Sequence, residues 1–195
     1  MRIGIDMDDV CANFQKKEVE VMHGMFGRPP IGTMPIDWAG SNLQVSKEEY
    51  DQFWAKSATM ENFWLNIDPL PSFDEETITL LLSVVMRHDV YFVTNRYETP
   101  GMSAMKQTKA WFYHHASMAS PNVVLAKEKG PMATVLQLDA FIDDRPKNCL
   151  DVLAARPNAH VFLADSSHNQ SFKDERIPRV KDLKTFLKII LLEVF

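Results

Sequence analysis

Three carboxylates, Asp6, Asp8 and Asp9, fall within four positions directly after the apolar run Ile3-Gly4-Ile5. Like charges this close raise one another's pKa unless a cation offsets them. With a divalent metal in place, one carboxylate can be metal-bound and nucleophilic while its neighbour carries a proton as general acid. A solvated, Asp-rich turn is the competing reading of this stretch alone. Three further groups of chemistry-bearing residues lie downstream, each just after an apolar run: Thr94-Asn95, Lys129 and Asp143-Asp144. Singly they read as a turn, a solvent-facing lysine and a helix cap.

The elements that must position these groups alternate. Apolar runs at Arg2–Ile5, Val90–Val93, Val123–Leu125, Ala140–Ile142 and His160–Leu163 read as five buried strands. Between them, Cys11–Met22 reads as a helix stopped by Gly24, Gly27, Pro29 and Pro30. Asp74 caps a helix with apolar positions Ile78, Leu81, Leu82, Val85 and Met86, and Met102–His115 is helical with Trp111 and Phe112 toward the core. A short helix follows the loop Ala126–Pro131, and Asp182 caps a last helix whose stripe is Leu183, Phe186, Leu187, Ile190, Leu191 and Val194. Strands alternating with helices predict an α/β fold with a mostly parallel sheet covered on both faces. In such a sheet the carboxyl ends of the strands converge on one crevice. All four chemical groups fall at such ends, which a set of chance turns would not be expected to produce.

Residues 30–71 have a different composition. Turn residues cluster at Pro30–Pro35 and Gly40–Asn42, Ser46 with Glu49 forms a capping box opening a helix to about Ser57, and Asn66–Pro71 reads as a return linker. Trp38, Phe53, Trp54, Phe63, Trp64 and Phe73 lie in or beside this section. Such aromatics either pack on one another or face a planar ligand.

At 195 residues, 46% hydrophobic and 24% charged, the chain can bury one full core with a modest insertion. The net charge of -5 argues against a nucleic-acid polymer as partner but leaves small anions open, since a local metal and a few basic residues can outweigh the global sign. The N-terminus lacks a basic region followed by an apolar one, so no signal peptide is expected, and the run 186–195 is too short to span a bilayer. Cys11 and Cys149 are expected to be reduced and buried, and the protein to be cytoplasmic. His114 and His115 are assigned no chemistry, and the sequon Asn169-Gln170-Ser171 no glycan.

The order Asp-x-Asp, Thr-Asn, Lys, Asp-Asp resembles the four motifs of the haloacid dehalogenase (HAD) superfamily of phosphohydrolases, and within it the 5'(3')-deoxyribonucleotidases. The first motif, Asp6-Met7-Asp8-Asp9-Val10 with Ala12 and Phe14, carries that resemblance, as do Phe63-Trp64-Leu65, Asp68-Pro69-Leu70-Pro71, Phe141-Ile142-Asp143-Asp144-Arg145-Pro146 and His168-Asn169. Two departures stand out. Asp9 replaces a common Gly, which Asp can imitate in the left-handed conformation at the cost of added charge. Thr94-Asn95-Arg96 stands where animal members have Ser and Pro after the Thr, leaving the role of Arg96 open.

The resemblance implies a HAD-like Rossmannoid three-layer sandwich around a five-stranded sheet, with a core of residues 1–13 and 72–195 and a small helical cap at 14–71. It implies Asp6 as nucleophile and Asp8 as acid and base. Mg²⁺ would be held by Asp6, by the main-chain carbonyl of Asp8 and by one or both of Asp143 and Asp144, an all-oxygen set suited to a hard cation. Thr94, the Asn95 N–H and Lys129 would hold the phosphoryl oxygens, with Lys127 the competing lysine. Phe14, Phe63 and Trp64 would pack on a base or sugar, or else belong to the core. The implied substrates are nucleoside 5'- or 3'-monophosphates such as dUMP and dTMP, and a homodimer is the family expectation. The rivals are a related phosphatase for another small phosphoester, a receiver-like signalling domain and an idle binding protein. A receiver-like domain would need an acceptor Asp after the middle strand that ends here in Thr94-Asn95.

Overall fold

The computed structural model describes residues 1–27 and 46–192. The turn clusters at 30–35 and 40–42, Trp38 and Val194 lie outside them. Six parallel strands form one sheet: β1 (Arg2–Ile5), β2 (Asp89–Thr94), β3 (Asn122–Leu125), β4 (Ala140–Asp143), β5 (His160–Ala164) and β6 (Arg179–Val180), in the order β3-β2-β1-β4-β5-β6. The expected sheet had five strands. The sixth is two residues long, pairs with β5 through Leu163–Arg179 and Ala164–Val180, and is too short to show a period of two.

Side chains alternate across the sheet as the strand period requires. Ile3, Ile5, Ala140, Ile142 and Phe162 face one layer, made by α3 (Glu75–Val85), α4 (Ala104–Ala116) and α7 (Leu183–Leu192). Phe141, Val161 and Leu163 face the other, made by α5 (Lys129–Leu136) and α6 (Pro146–Ala155). Helices α3 and α7 start where their polar caps stand: Asp74 accepts from Thr77 N, and Asp182 accepts from Thr185 N. The fourth helix begins at Ala104, two residues later than expected, because Ser103 is its cap.

Two further helices, α1 (Phe14–Phe26) and α2 (Lys47–Ser57), reach the crevice at the strand ends through Phe14, Tyr50 and Trp54. The first starts at Phe14, three residues later than the sequence pattern suggests, because Cys11 and Ala12 donate their N–H groups back to the Met7 carbonyl and close the loop after β1. It runs through Gly24 and ends at Gly27, which takes the left-handed conformation at φ 64. The capping box of Ser46 and Glu49 opens α2 as expected.

Lys129, expected in a loop, is the first residue of α5, and the next residue explains how α5 sits so close to α6. A Cβ on Gly130 would stand 2.6 Å from the Asp151 carbonyl oxygen in α6. Gly130→Val therefore forces the two helices apart. The expected cost is about 1–3 kcal/mol, seen as a melting point lowered by roughly 2–4 °C per kcal/mol, and an unchanged melting point would refute this account of the packing.

Candidate active site

Four strand ends and the loop after β1 enclose a crevice of about 250 Å³ lined by Asp6, Asp8, Thr94, Asn95, Lys129 and Asp144, with Phe14, Tyr50, Trp54, Trp64, Arg145 and Asn148 completing the wall. Asp6 continues the β1 ladder, its N–H donating to the Ile142 carbonyl at 3.0 Å. The tight loop that follows turns on Asp9, which adopts the left-handed conformation at φ 58. Asp9 Oδ1 accepts from Gln15 N at 3.0 Å, so the residue standing in for glycine also caps the first turn of α1.

Lys129 is buried, whereas Lys127 is exposed. The Lys129 Nζ donates to Asp6 Oδ1 and to the Val93 carbonyl, and stands 3.8 Å from Asp143 Oδ2. Of the two candidate lysines, the structure therefore brings Lys129 to the carboxylates. Its ammonium is held above its ordinary pKa: burial works against the charge, but Asp6 and Asp143 outweigh it.

Asp8 turns toward β2. Arg96 Nη2 donates to its Oδ1 at 2.6 Å and Arg96 Nε to its Oδ2 at 3.2 Å, while Thr94 Oγ1 donates to Oδ2 at 3.3 Å. Asp143 accepts from Arg145 N at 2.8 Å and from Asn148 Nδ2 at 3.0 Å. Asp144 is anchored by its main chain, whose carbonyl accepts from Asn169 Nδ2 at 2.7 Å. Asn169 is only 2% exposed and also donates to the Ala164 carbonyl, which disposes of the sequon in the folded state.

Asp6, Asp143 and Asp144 each offer a carboxylate oxygen within 4.8 Å of the other two, and all three are buried. Asp144 Oδ2 makes no well-formed hydrogen bond, although His168 Nε2 stands 3.0 Å away. Burial pushes Asp6 up to about 7, with Lys129 opposing and Asp143 and Asp8 adding. Burial likewise takes Asp143 to about 7, against the pull of Lys129, and burial together with Asp6 raises Asp144 well above the carboxylate range. Three crowded carboxylates, one with an unsatisfied buried oxygen, fit a hard divalent cation. The carboxylate of Asp8 is not in this group.

A pH-dependent metal effect follows. Carboxyls raised in the fold contribute their stability below the unfolded value of about 3.9 and lose it as pH climbs through about 7, the folded value of Asp6 and Asp143. Protein in EDTA is therefore expected to melt lower at pH 8 than at pH 5.5. Mg²⁺ at a concentration about a hundredfold above its Kd at pH 8 restores about 2.7 kcal/mol there, and the same concentration restores less at pH 5.5, where protons compete for the carboxyls. A magnesium shift equal at both pH values, measured by thermal unfolding, would refute the assignment of the cation to these carboxyls.

The model of the family described as "5' nucleotidase, deoxy (Pyrimidine), cytosolic type C protein" matches residues 1–192. The chain belongs to that family. It is a phosphatase, a hydrolase acting on phosphoric monoesters. No curated protein sequence matches it significantly. Among solved structures, a HAD-superfamily hydrolase of subfamily IA, variant 1, from Geobacter sulfurreducens is similar at TM-score 0.59 and 12% identity, over 96% of this chain and 98% of that one. The D,D-heptose 1,7-bisphosphate phosphatase from B. bronchiseptica, complexed with magnesium and phosphate, is similar at TM-score 0.55 and 10% identity, over 99% of each chain. A defluorinating L-2-haloacid dehalogenase is as similar, at TM-score 0.55 and 10% identity over 96% and 93%. These likenesses establish the HAD fold; a phosphatase and a dehalogenase share it, so the reaction is read from the family and the site.

Within this family frame, the crevice includes every residue expected to bind substrate except one. Phe63 is 1% exposed and does not line it; its ring packs edge-on against Trp64 at 4.9 Å and Phe14 at 6.4 Å, the core alternative. Sequence reasoning misses Tyr50 and Asn148, does not single out Trp54 among the aromatics, and quotes Arg145 only within a motif, with no role. Arg145 was flagged only by its place between Asp144 and Pro146; nothing local marks Tyr50. Both cysteines are buried and free, with Sγ atoms against the carbonyls of Asp6 and Asp143, and burial raises both thiols. No helix among the described residues is long and apolar enough to cross a membrane.

Proposed function

We propose that the protein is a magnesium-dependent nucleotidase that removes the phosphate from pyrimidine deoxynucleoside monophosphates such as dUMP and dTMP, at the 5' or 3' position. The observation that carries this reading is the meeting, in one crevice, of the Asp6–Lys129 pair with an aromatic wall of Phe14, Tyr50, Trp54 and Trp64. A phosphoryl group suits the first half of that crevice and a flat base the second. The family description supplies the pyrimidine and the deoxyribose; stacking alone is tolerant of the base.

An Asp6 carboxylate oxygen forms the bond to phosphorus as the ester P–O bond breaks. The electron pair leaves with the ribose oxygen, which takes a proton from Asp8. Water then attacks the aspartyl-phosphate, giving its proton to Asp8 and releasing phosphate with Asp6 restored. Thr94, the Asn95 N–H and Lys129 hold the phosphoryl oxygens and offset charge as it builds. Asp6, the Asp8 main-chain carbonyl and one or both of Asp143 and Asp144 would hold Mg²⁺, which would neutralise charge at the phosphoryl group. Residues 14–71 act as a cap that excludes water from the crevice, on a core of residues 1–13 and 72–195. The protein works in the cytoplasm, as a homodimer.

The test is phosphate release from 5'- and 3'-nucleoside monophosphates, ribo and deoxy, with Mg²⁺ or EDTA. Metal-dependent release favouring dUMP or dTMP is expected. Release from an aryl phosphate and from no nucleotide would discard the substrate; trapping of a stable acyl-phosphate without turnover would favour the receiver-like reading.

A further inference from the structure

We propose that Arg96 is a positioning residue that aims the carboxylate of Asp8 at the leaving oxygen. The inference rests on the acid and base role given to Asp8 above.

The Arg96 side chain is fully buried, and three of its nitrogens are engaged. Nε and Nη2 grip both oxygens of Asp8 as a fork, and Nη1 donates to Thr108 Oγ1 at 3.1 Å. Thr108 is itself fixed in α4, its hydroxyl donating to the Ala104 carbonyl at 2.8 Å. The guanidinium lies over Trp64, with Cζ 5.1 Å from the ring centroid. That ring is held in turn, its Nε1 donating to the Tyr97 carbonyl at 2.7 Å and its main-chain N–H to Gln107 Oε1 at 2.9 Å.

Among the described residues, Asp8 otherwise has one long hydrogen bond, from Thr94 at 3.3 Å, to set its direction from the loop after β1. A planar fork fixes a carboxylate in both position and plane, which a point charge does not. The direction of Asp8 is therefore set from α4 and from the crevice wall, and both supports come through Arg96. Arg96 does not line the crevice, so it acts through Asp8 rather than on phosphate.

A proton donor matters where the leaving group departs poorly without one. An alkyl alkoxide needs it, whereas an aryl phosphate leaves as a phenolate. The experiment is kcat/KM for p-nitrophenyl phosphate and for an alkyl phosphate, dUMP or glycerol phosphate, in wild type, Arg96→Gln and Arg96→Lys, with magnesium. Because kcat/KM reports the first irreversible step, later hydrolysis of the aspartyl-phosphate does not blur the comparison.

Misaiming the acid is expected to lower the alkyl value about 100-fold, with the aryl value within about threefold and inhibition by inorganic phosphate unchanged. Lysine keeps the charge and loses the fork, so Arg96→Lys should resemble Arg96→Gln. Equal loss on both substrates, weakened phosphate inhibition or rescue by lysine would each overturn the proposal. Retained aryl turnover shows that a variant is folded; should Arg96→Gln not fold, Thr108→Val, which loosens the fork from behind, is expected to show the same split at smaller size, and its absence is equally decisive. If the wild type cleaves glycerol phosphate but no nucleotide, the substrate reading fails and this test proceeds unchanged. A wild type that cleaves aryl but no alkyl phosphate overturns the proposal itself.

Discussion

Asp6→Asn is expected to abolish turnover on every phosphate ester, by at least about 10⁴-fold, the scale seen when a nucleophile is removed from an intact site. The amide is isosteric, so the ladder hydrogen bond from Asp6 N to the Ile142 carbonyl persists and the protein stays folded. What disappears is the oxygen that can bond to phosphorus. Asp6 is also one of the three carboxyls grouped within 4.8 Å, so the melting shift produced by magnesium should shrink in the same variant. Initial rates on dUMP and on p-nitrophenyl phosphate, followed by thermal unfolding with and without Mg²⁺, read both effects. Residual activity within a hundredfold of wild type on either substrate would remove Asp6 from the nucleophile's role.

Lys129→Met is expected to damage stability as much as activity. Among the described residues, the Nζ group is the cation paired with Asp6 and with Asp143, both buried. Removing it leaves two buried carboxylates without that counter-charge, although Asp143 keeps its hydrogen bonds from Arg145 N and Asn148; breaking a buried pair in this way costs about 3–5 kcal/mol. The loss depends on pH with a definite sign. Burial has already raised Asp6 and Asp143 to about 7, so below that value they accept protons and tolerate the missing ammonium. The variant should therefore melt far below wild type at pH 8, with the gap narrowing at pH 5.5. A gap that stays constant across this range would mean that the loss does not come from the lysine's charge.

Asp6, Asp8, Thr94, Lys129, Asp143 and Asp144 are legible in the sequence because each follows an apolar strand, and parallel strands bring their carboxyl ends to one place. Lys129 is favoured over Lys127 in the sequence only by its place directly before Gly130-Pro131 and its match to the family motif, and burial in the fold separates the two. The aromatics show the same limit from the other side. Phe63 carries the family resemblance and Trp54 does not, yet Phe63 lies behind the wall and Trp54, on α2, lines it, a difference set by tertiary packing. Arg96 is readable as a departure from the family but not as a partner of Asp8, since the fork reaches across from a neighbouring strand end. The sixth strand escapes notice because two residues carry no period.

The placement of β1 bears on how the protein comes to exist during synthesis. Its residues are synthesised before those of the five other strands described, yet it lies inside the sheet between β2 and β4, with Ile3 paired to Val90 on one side and to Ala140 on the other. Asp6 therefore waits for Thr94, then Lys129, then Asp143 and Asp144, before any site exists. Non-local pairing of this kind is slow because chain closure precedes the contacts that reward it. A nascent chain released before β4 emerges presents a half-paired β1 and three adjacent carboxylates with nothing to hold, a species poised for aggregation and without catalytic activity.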